Sequence, residues 1–226
     1  MSEPGIFEII NTTRSIKYFK QDPVPMDLIR KVLDAGTKAP SGENTQPWEF
    51  VVVTNREDKK FIQQLYQKFV KLRFYKRHSS LKNSNTPFAK MLNGVIHLAE
   101  NLHKVPVHLL VCAHRDWPAS IPAEKRIGKA PPPYASIYPC IQNILLASRA
   151  LGLGATLTTI HHMFEVDMHQ RFRIPNQVSI VALIPIGYAK FGFGPVERIS
   201  ANKVTHFEKW GSKNLFKANM NKRRIS

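Results

Sequence analysis

The chain of 226 residues has 43% hydrophobic and 10% aromatic side chains, which suits one globular domain with a sizeable core and excludes a disordered chain. Two cysteines, Cys112 and Cys140, are too few for a disulfide framework and lack metal-ligand spacing. We therefore expect buried free thiols in a reducing compartment. The net charge of +17 favours anionic ligands such as phosphates and nucleotides.

The positive charge is concentrated in two stretches. Residues 59–90 contain nine Lys or Arg and no Asp or Glu, and residues 209–226 contain six more, again without an acid. A solvated face and a basic tail explain these stretches better than a nucleic-acid interface does, so we expect no nucleic-acid partner. The N-terminus lacks the regions of a signal peptide and the apolar runs are short, so we expect a cytoplasmic protein without membrane contact.

Helices and strands are predicted to alternate along the chain. Apolar spacing predicts helices over residues 5–11, 26–37, 56–71, 88–103, 138–151 and 164–172, and β-branched runs predict strands over residues 49–54, 107–113, 155–160 and 178–187. Asn55 is the expected N-cap of the third helix, and Gly152 the expected C-cap of the fifth. The alternation predicts an α+β fold, of α/β-type three-layer form, around a central sheet.

Two irregular segments interrupt this pattern. Residues 78–87 form a polar stretch that is the best candidate for a mobile lid, and residues 117–133 form a proline-rich loop. Apolar patterned segments resume after both, so neither is a linker. We predict a single domain over residues 1–208, with a lid around residues 66–88, followed by a basic tail over residues 209–226.

A polar turn between a helix and a strand occupies residues 39–53, A-P-S-G-E-N-T-Q-P-W-E-F-V-V-V. Pro40 ends the preceding helical pattern, and Ser41, Gly42 and Asn44 are turn formers with free hydrogen-bonding groups. Such a turn beside a rigid strand suits ligand binding. Taken alone, it is better explained as an ordinary helix-to-strand connection.

The sequence contains no recognisable set of catalytic side chains. Walker A, Rossmann and G-x-S-x-G motifs are missing, and no carboxylate or thiol completes a zinc-ligand set with His161 and His162. We therefore expect no metal and no catalytic side chain. A protein of this kind suits an enzyme in which a cofactor supplies the chemistry and the protein supplies position and electrostatics.

Three blocks in order, R-S-I-K-Y-F at residues 14–19, P-V-P at 23–25 and the turn at 39–53, resemble the FMN-dependent nitroreductase family. The resemblance covers about residues 6–198. It implies a mostly antiparallel central sheet flanked by helices, an intertwined homodimer and bound FMN. It also implies a ping-pong reaction, in which NAD(P)H gives hydride to flavin N5 and a small acceptor such as a nitroaromatic or quinone takes the electrons.

The same resemblance implies three groups of cofactor-binding residues. Arg14, Ser15 and Lys17, with the distant Arg198, correspond to the residues that bind the flavin phosphate. The residues implied beside the flavin ring and ribityl chain are Pro40, Ser41, Gly42, Asn44, Leu157, Thr158 and Thr159. Thr13 stands where the family commonly has arginine, so Lys17 and Arg198 would have to compensate for one missing phosphate cation.

Two alternatives remain open at this point. A reductive dehalogenase resembling iodotyrosine deiodinase would need a Glu/Tyr/Lys set in its lid, and residues 59–90 contain no acid. A non-enzymatic protein that binds flavin or nucleic acid could use the basic lid and its interleaved aromatic residues. More modestly, the lysines of the lid would favour NADPH, which carries an additional phosphate.

Overall fold

The computed structural model describes residues 4–81, 84–114 and 132–212. The chain divides into two compact units, residues 1–194 and 195–226. The helices are α1 (Ile6–Thr12), α2 (Met26–Gly36), α3 (Arg56–Leu81), α4 (Pro87–Asn101), α5 (Ile137–Ala150), α6 (Glu165–Phe172) and, in the second unit, α7 (Ala201–Val204). Short 3₁₀ turns cover Gly42–Asn44, Leu102–Lys104, Pro132–Ala135 and Ile160–Phe164.

A four-stranded antiparallel sheet forms the centre of the first unit. Its strands are β1 (Trp48–Val53), β2 (Val107–His114), β3 (Leu153–Ala155) and β4 (Val178–Tyr188), in the order β1-β2-β4-β3. Each strand is antiparallel to its neighbours. The predicted α+β class and central antiparallel sheet are therefore confirmed.

Each face of the sheet is covered by its own apolar core. Leu109 and Val111 of β2 pack with α2 and α5, whereas Leu110 of the same strand packs in the core that contains residues of α3, α4 and α6. Successive side chains of a strand point to opposite faces, so a run such as that of β2 requires a helical layer on both sides. The two cysteines lie in opposite cores, and burial raises the pKa of each thiol to about 12.

Both predicted helix caps are present. The side-chain oxygen of Asn55 accepts hydrogen bonds from the backbone N–H groups of Glu57 (2.8 Å) and Asp58 (3.2 Å). Gly152 follows α5 with φ of 75°, and its N–H donates to the carbonyl oxygen of Arg149. That left-handed conformation is the one that favours glycine at the end of a helix.

The third helix is longer than predicted. We expected it to end near residue 71 and to be followed by a polar loop over residues 78–87, but α3 continues to Leu81 and α4 begins at Pro87. Side chains of the extra turns contact α4: the Tyr75 hydroxyl donates to Glu100 (2.6 Å), and the His78 ring lies 2.8 Å from the Asn93 side-chain oxygen. These contacts with α4 stabilise the last turns of α3, although the sequence of those turns is polar. The predicted loop at residues 117–133 lies almost wholly outside the described residues.

The predicted strand over residues 155–160 was also misplaced. The strand β3 is Leu153–Ala155, and Thr158 makes an isolated bridge to Leu183 instead of continuing it. A 3₁₀ turn then begins at Ile160 and leads into α6. The β-branched residues of this stretch favoured a strand, but the chain leaves the sheet edge after three residues.

Two histidines are buried in the first unit and make one backbone contact each. The Nε2 atom of His108 lies 2.9 Å from the carbonyl oxygen of Leu102, and that of His161 lies 2.8 Å from the carbonyl oxygen of Ile180. Burial lowers the pKa of both rings to about 4, from an ordinary value of 6.5. Both rings are therefore neutral at pH 7, and the Nε2–H groups donate to these carbonyls.

We predict that the free energy of unfolding falls as the pH is lowered from 6.5 to 4. In this range the unfolded chain binds protons at His108 and His161 and the folded chain does not, so stability is fully present above pH 6.5 and is lost towards pH 4. Each ring contributes about 3 kcal/mol to this loss. Urea unfolding between pH 7 and 4.5 measures it.

The variant His108→Gln tests the assignment, because glutamine can still donate a hydrogen bond but does not titrate. Its stability at pH 7 should be lower than that of the wild type, while its dependence on pH between 6.5 and 4.5 should be shallower. An unchanged slope would show that His108 does not contribute to acid destabilisation.

Candidate functional site

The first group of predicted site residues lies on a segment that runs beside β3 and the end of β4. The N–H of Ile16 donates to the carbonyl oxygen of Ala155 (3.1 Å), and that of Lys20 donates to the carbonyl oxygen of Tyr188 (2.8 Å). Phe19 forms an antiparallel bridge with Ala189. The segment that carries Arg14, Ser15 and Lys17 is thus fixed to the sheet by its backbone.

A close approach between Ile16 and Gly154 fixes the position of this segment. A Cβ atom added to Gly154 would lie 2.9–3.1 Å from three atoms of the Ile16 side chain, all at or next to its branch point. Because these atoms cannot move away without the backbone, only glycine fits at residue 154 with Ile16 in this position. Ile16 is itself buried, at 9% exposure.

Two cations of the first group lie close to each other. Burial lowers the pKa of Lys17, and the nearby positive charge of Arg14 lowers it further. The stem of Lys17 crosses α4 at Gly94, where an added Cβ would lie 2.9 Å from Lys17 Cδ. Two cations held near one another, with Ser15 between them in the chain, form an arrangement that suits a phosphate group.

The second group lies on the turn between α2 and β1, which is strained and tied to α5. Three non-glycine residues have left-handed backbones, with φ of 52° at Glu43, 55° at Asn44 and 48° at Gln46. The Gln46 N–H donates to the Ser41 hydroxyl (3.0 Å), and the Gly42 N–H donates to the Ser136 hydroxyl (3.2 Å). Ser136 immediately precedes α5. Strain of this kind accumulates at functional sites, where surrounding contacts maintain it.

The hydrogen bonds of Thr158, in the third group, are largely made within the protein. Its backbone N–H and carbonyl both pair with Leu183 at 3.0 Å, and its hydroxyl lies 3.0 Å from the Tyr66 hydroxyl of α3. The Ile160 N–H also donates to this hydroxyl (3.5 Å). The backbone N–H of Thr158 is therefore not available to a flavin ring. Thr159 is exposed and Leu157 is half-buried, so these two residues are more accessible to a ligand.

The structure brings two of the three groups together. The bond from Ile16 to Ala155 places the cations of the first group beside the chain that leads to Leu157, Thr158 and Thr159. The turn with exposed Pro40 and Asn44 is connected through Ser136 instead. Arg198 belongs to the second unit, where it is exposed and donates to the carbonyl oxygen of Glu197 (2.7 Å).

Sequence reasoning missed three residues that position these groups. Gly154 was regarded only as part of a helix-to-strand turn, Ser136 was not singled out, and Tyr66 was assigned to the lid. No local pattern marks a contact between residues 92 or 94 positions apart, such as Tyr66 with Thr158 or Gly42 with Ser136.

The described parts of the chain contain neither a metal-ligand group nor a helix that could span a membrane. Within residues 4–81, 84–114 and 132–212, no group of three or more His, Cys, Asp or Glu side chains could hold a metal ion. His161 is buried, whereas His162 is exposed and lies 3.7 Å from Glu165. None of the described helices is both long and apolar enough to cross a bilayer.

Sequence comparison assigns the chain to a family of oxidoreductases. A model of the nitroreductase family matches residues 10–188, and the chain belongs to this family. It is 28% identical over 215 residues to a protein of Methanothermobacter thermautotrophicus that carries a provisional NADH dehydrogenase/NAD(P)H nitroreductase name, covering 93% of this chain and 90% of that one. Iodotyrosine deiodinase 1 of Rattus norvegicus is 28% identical over 197 residues, covering 85% of this chain and 65% of the deiodinase.

Solved structures share the fold. A nitroreductase with bound FMN from Desulfitobacterium hafniense superimposes with a TM-score of 0.64 at 18% identity, covering 92% of this chain and all (100%) of that one. An iodotyrosine deiodinase bound to FMN and 3-iodo-L-tyrosine gives a TM-score of 0.67 at 18% identity, with coverage of 92% and 100%. The nitroreductase-like fold is therefore confirmed, and the family membership makes the protein an oxidoreductase.

Proposed function

We propose that the protein binds FMN and uses NAD(P)H to reduce a small acceptor, such as a nitroaromatic or a quinone, by a ping-pong mechanism. The observation that carries the proposal is the pair of cations, Arg14 and Lys17, fixed beside the sheet edge in a chain of the nitroreductase family. Bound FMN would supply the redox chemistry, taking hydride from the nicotinamide and passing electrons on.

The residues present fit FMN. Arg14, Ser15 and Lys17, all in the first unit, would hold its phosphate. The strained turn at Ser41, Gly42 and Asn44 and the chain at Leu157–Thr159 would hold the ribityl chain and ring. Thr158 keeps one donor for this purpose: when the Tyr66 hydroxyl donates to it, the Thr158 hydroxyl hydrogen is free.

A homodimer in the cytoplasm is part of the proposal. Large apolar side chains are exposed on α1 and at the start of α5: Ile6 at 56%, Phe7 at 79%, Ile10 at 48% and Tyr138 at 45%. The two helices pack against each other in the first unit, so these side chains favour burial against a second copy. Light scattering of the purified protein should give twice the mass of the chain, and Phe7→Glu should shift it towards one.

NADPH is the proposed donor in preference to NADH. Lys68 and Lys71 lie exposed on α3, at a three-residue interval that shares a helix face, and their charge favours the more anionic nicotinamide. Apart from its positive charge, no described feature of this helix face favours nucleic-acid binding.

The flavin proposal is tested by Gly154→Ala. The new Cβ would displace Ile16 and with it the segment of Arg14, Ser15 and Lys17, so we expect the affinity for FMN to fall on the order of tenfold, the effect of losing one charge-assisted hydrogen bond. Fluorescence titration of the apoprotein with FMN measures this. Wild-type protein should be yellow and should bleach with NADPH under anaerobic conditions.

The matched control is Gly192→Ala, because an added Cβ there meets no atom within 4 Å. It should bind FMN as the wild type does. A colourless wild-type protein that takes up no FMN contradicts the proposed function itself, whereas equal affinities in Gly154→Ala and wild type contradict only the placement of the site.

One observation favours a second candidate, a reductive deiodinase. The basic stretch of α3 has no acid of its own, but Glu100 of α4 accepts a hydrogen bond from Tyr75 (2.6 Å), and Lys71 Nζ lies 5.7 Å from the centre of the Tyr75 ring. A carboxylate, a phenol and an ammonium group therefore lie together, although they come from two helices. This is the combination whose absence argued against that candidate.

Acceptor tests separate the two candidates. The proposed function predicts rapid NADPH-driven reduction of a nitroaromatic or quinone and no iodide release from 3-iodotyrosine, with Glu100→Gln unchanged in turnover. The second candidate predicts iodide release that Glu100→Gln reduces at least about tenfold, the cost of one charged hydrogen bond. Glu57→Gln, at the exposed start of α3, is the control. Iodide measurement with FMN-loaded protein decides between them.

A further inference from the structure

A basic cleft lies next to the segment that carries Lys17, on the side of the C-terminal half of α4. Its volume is about 200 Å³, which suits a fragment rather than a complete dinucleotide. Three lysines line it, Lys17, Lys104 and Lys190, together with an apolar set, Phe19, Leu98 and Val105. Only Lys17 is shared with the proposed flavin site.

Backbone hydrogen bonds hold together the two chain segments that carry Lys17 and Lys190, which form the floor of the cleft. Residues 17 and 19 alternate with residue 18 in an extended segment, so their side chains lie on the same side. The N–H of Lys20 donates to Tyr188 and that of Lys190 donates to Tyr18 (2.9 Å). The bases of Lys17 and Lys190 are therefore held by strand-like hydrogen bonds.

Hydrogen bonds on α4 hold the third ammonium group in place. Lys104 Nζ donates to the side-chain oxygen of Asn101 (3.0 Å), and the Asn101 amide in turn donates to the carbonyl oxygen of His97 (3.0 Å). The His97 ring stacks on Tyr18 with centroids 4.2 Å apart. This chain of contacts connects Lys104 to the floor.

The electrostatic field at the cleft is positive. Burial lowers the pKa of His97, the charge of Lys190 lowers it further, Glu100 opposes this effect and Lys104 adds to it. The Glu100 carboxylate accepts a hydrogen bond from Tyr75 of α3 and does not line the cleft. The cations that surround the cleft therefore have no carboxylate within it, among the described residues that line it.

We propose that this cleft binds a small phosphomonoester, with the phosphate among Lys17, Lys104 and Lys190 and the organic group against Phe19, Leu98 and Val105. Three ammonium groups match a dianion better than a carboxylate. The apolar lining and the volume accommodate more than phosphate itself, so an ester is favoured over the inorganic ion. The cleft adjoins the proposed flavin site and shares Lys17 with it, and a molecule bound there would occupy a regulatory or second-substrate position next to the flavin.

Calorimetric titration of FMN-saturated protein with phenyl phosphate tests the proposal, at an ionic strength held constant with sodium chloride. We expect binding of one molecule per chain, tighter than that of inorganic phosphate. The double variant Lys104→Gln/Lys190→Gln should weaken binding at least about tenfold. Lys20→Gln, which removes an exposed charge of the same segment outside the cleft, should bind as the wild type does.

Several outcomes overturn the proposal. No binding, or equal binding by the double variant, means that the cleft takes no phosphomonoester. Equal weakening by Lys20→Gln means that only the net charge matters. If phenyl phosphate competes with FMN for the apoprotein and no longer binds once the protein is saturated with FMN, the cleft belongs to the flavin site instead.

Titration of His97 by NMR provides a second measurement. A bound dianion would offset the charges of Lys190 and Lys104 at the ring, so the pKa of His97 should rise when phenyl phosphate is added. The remaining groups that act on this ring are Glu100 and the ring of Tyr18, and neither residue lines the cleft. An unchanged His97 pKa alongside measured binding would place the anion elsewhere.

Discussion

The burial of β2 and β4 on both faces is the constraint on which the rest of the structure depends. Leu109 and Leu110 are neighbours in the chain, and each is fully buried in a different core. Two helical layers are required to cover such strands, which explains why α2 and α5 lie on one face and α3 and α4 on the other. The segment of residues 14–20 lies at the sheet edge formed by β3 and the end of β4. The proposed flavin site and the basic cleft both lie along that segment.

The approach of Ile16 to Gly154 connects the core to these sites. Ile16 is buried over β3, while its neighbours in the chain, Ser15 and Lys17, point away from it. The packing of Ile16 therefore determines how far Arg14 and Lys17 lie from the sheet. The N–H of Ile16 also donates to the carbonyl oxygen of Ala155, so the segment is joined to β3 by its backbone as well as by packing.

The sequence predicted what local physics determines and missed what distant contacts determine. Asn55 and Gly152 were identified as caps from residue type alone, and the apolar runs of β2 and β4 were identified by composition. The extension of α3 to Leu81 depends on Tyr75 meeting Glu100, 25 residues away, and no periodicity reveals such a partner. The strand predicted over residues 155–160 failed for a related reason: β-branched residues satisfy strand propensity, but the bridge of Thr158 to Leu183 is a tertiary arrangement.

The charge of the chain illustrates the same distinction. Residues 59–90 contain nine basic residues, and two of those that the structure describes have quite different partners. Lys59 Nζ donates to the carbonyl oxygens of Val105 and Pro106, where it supports the turn before β2, and Arg77 stacks on Phe88. The cations that converge on the cleft, Lys104 and Lys190, lie outside that stretch and 86 residues apart in the numbering. Net charge therefore indicates that anions are favoured, whereas only the folded chain determines which cations act together on one anion.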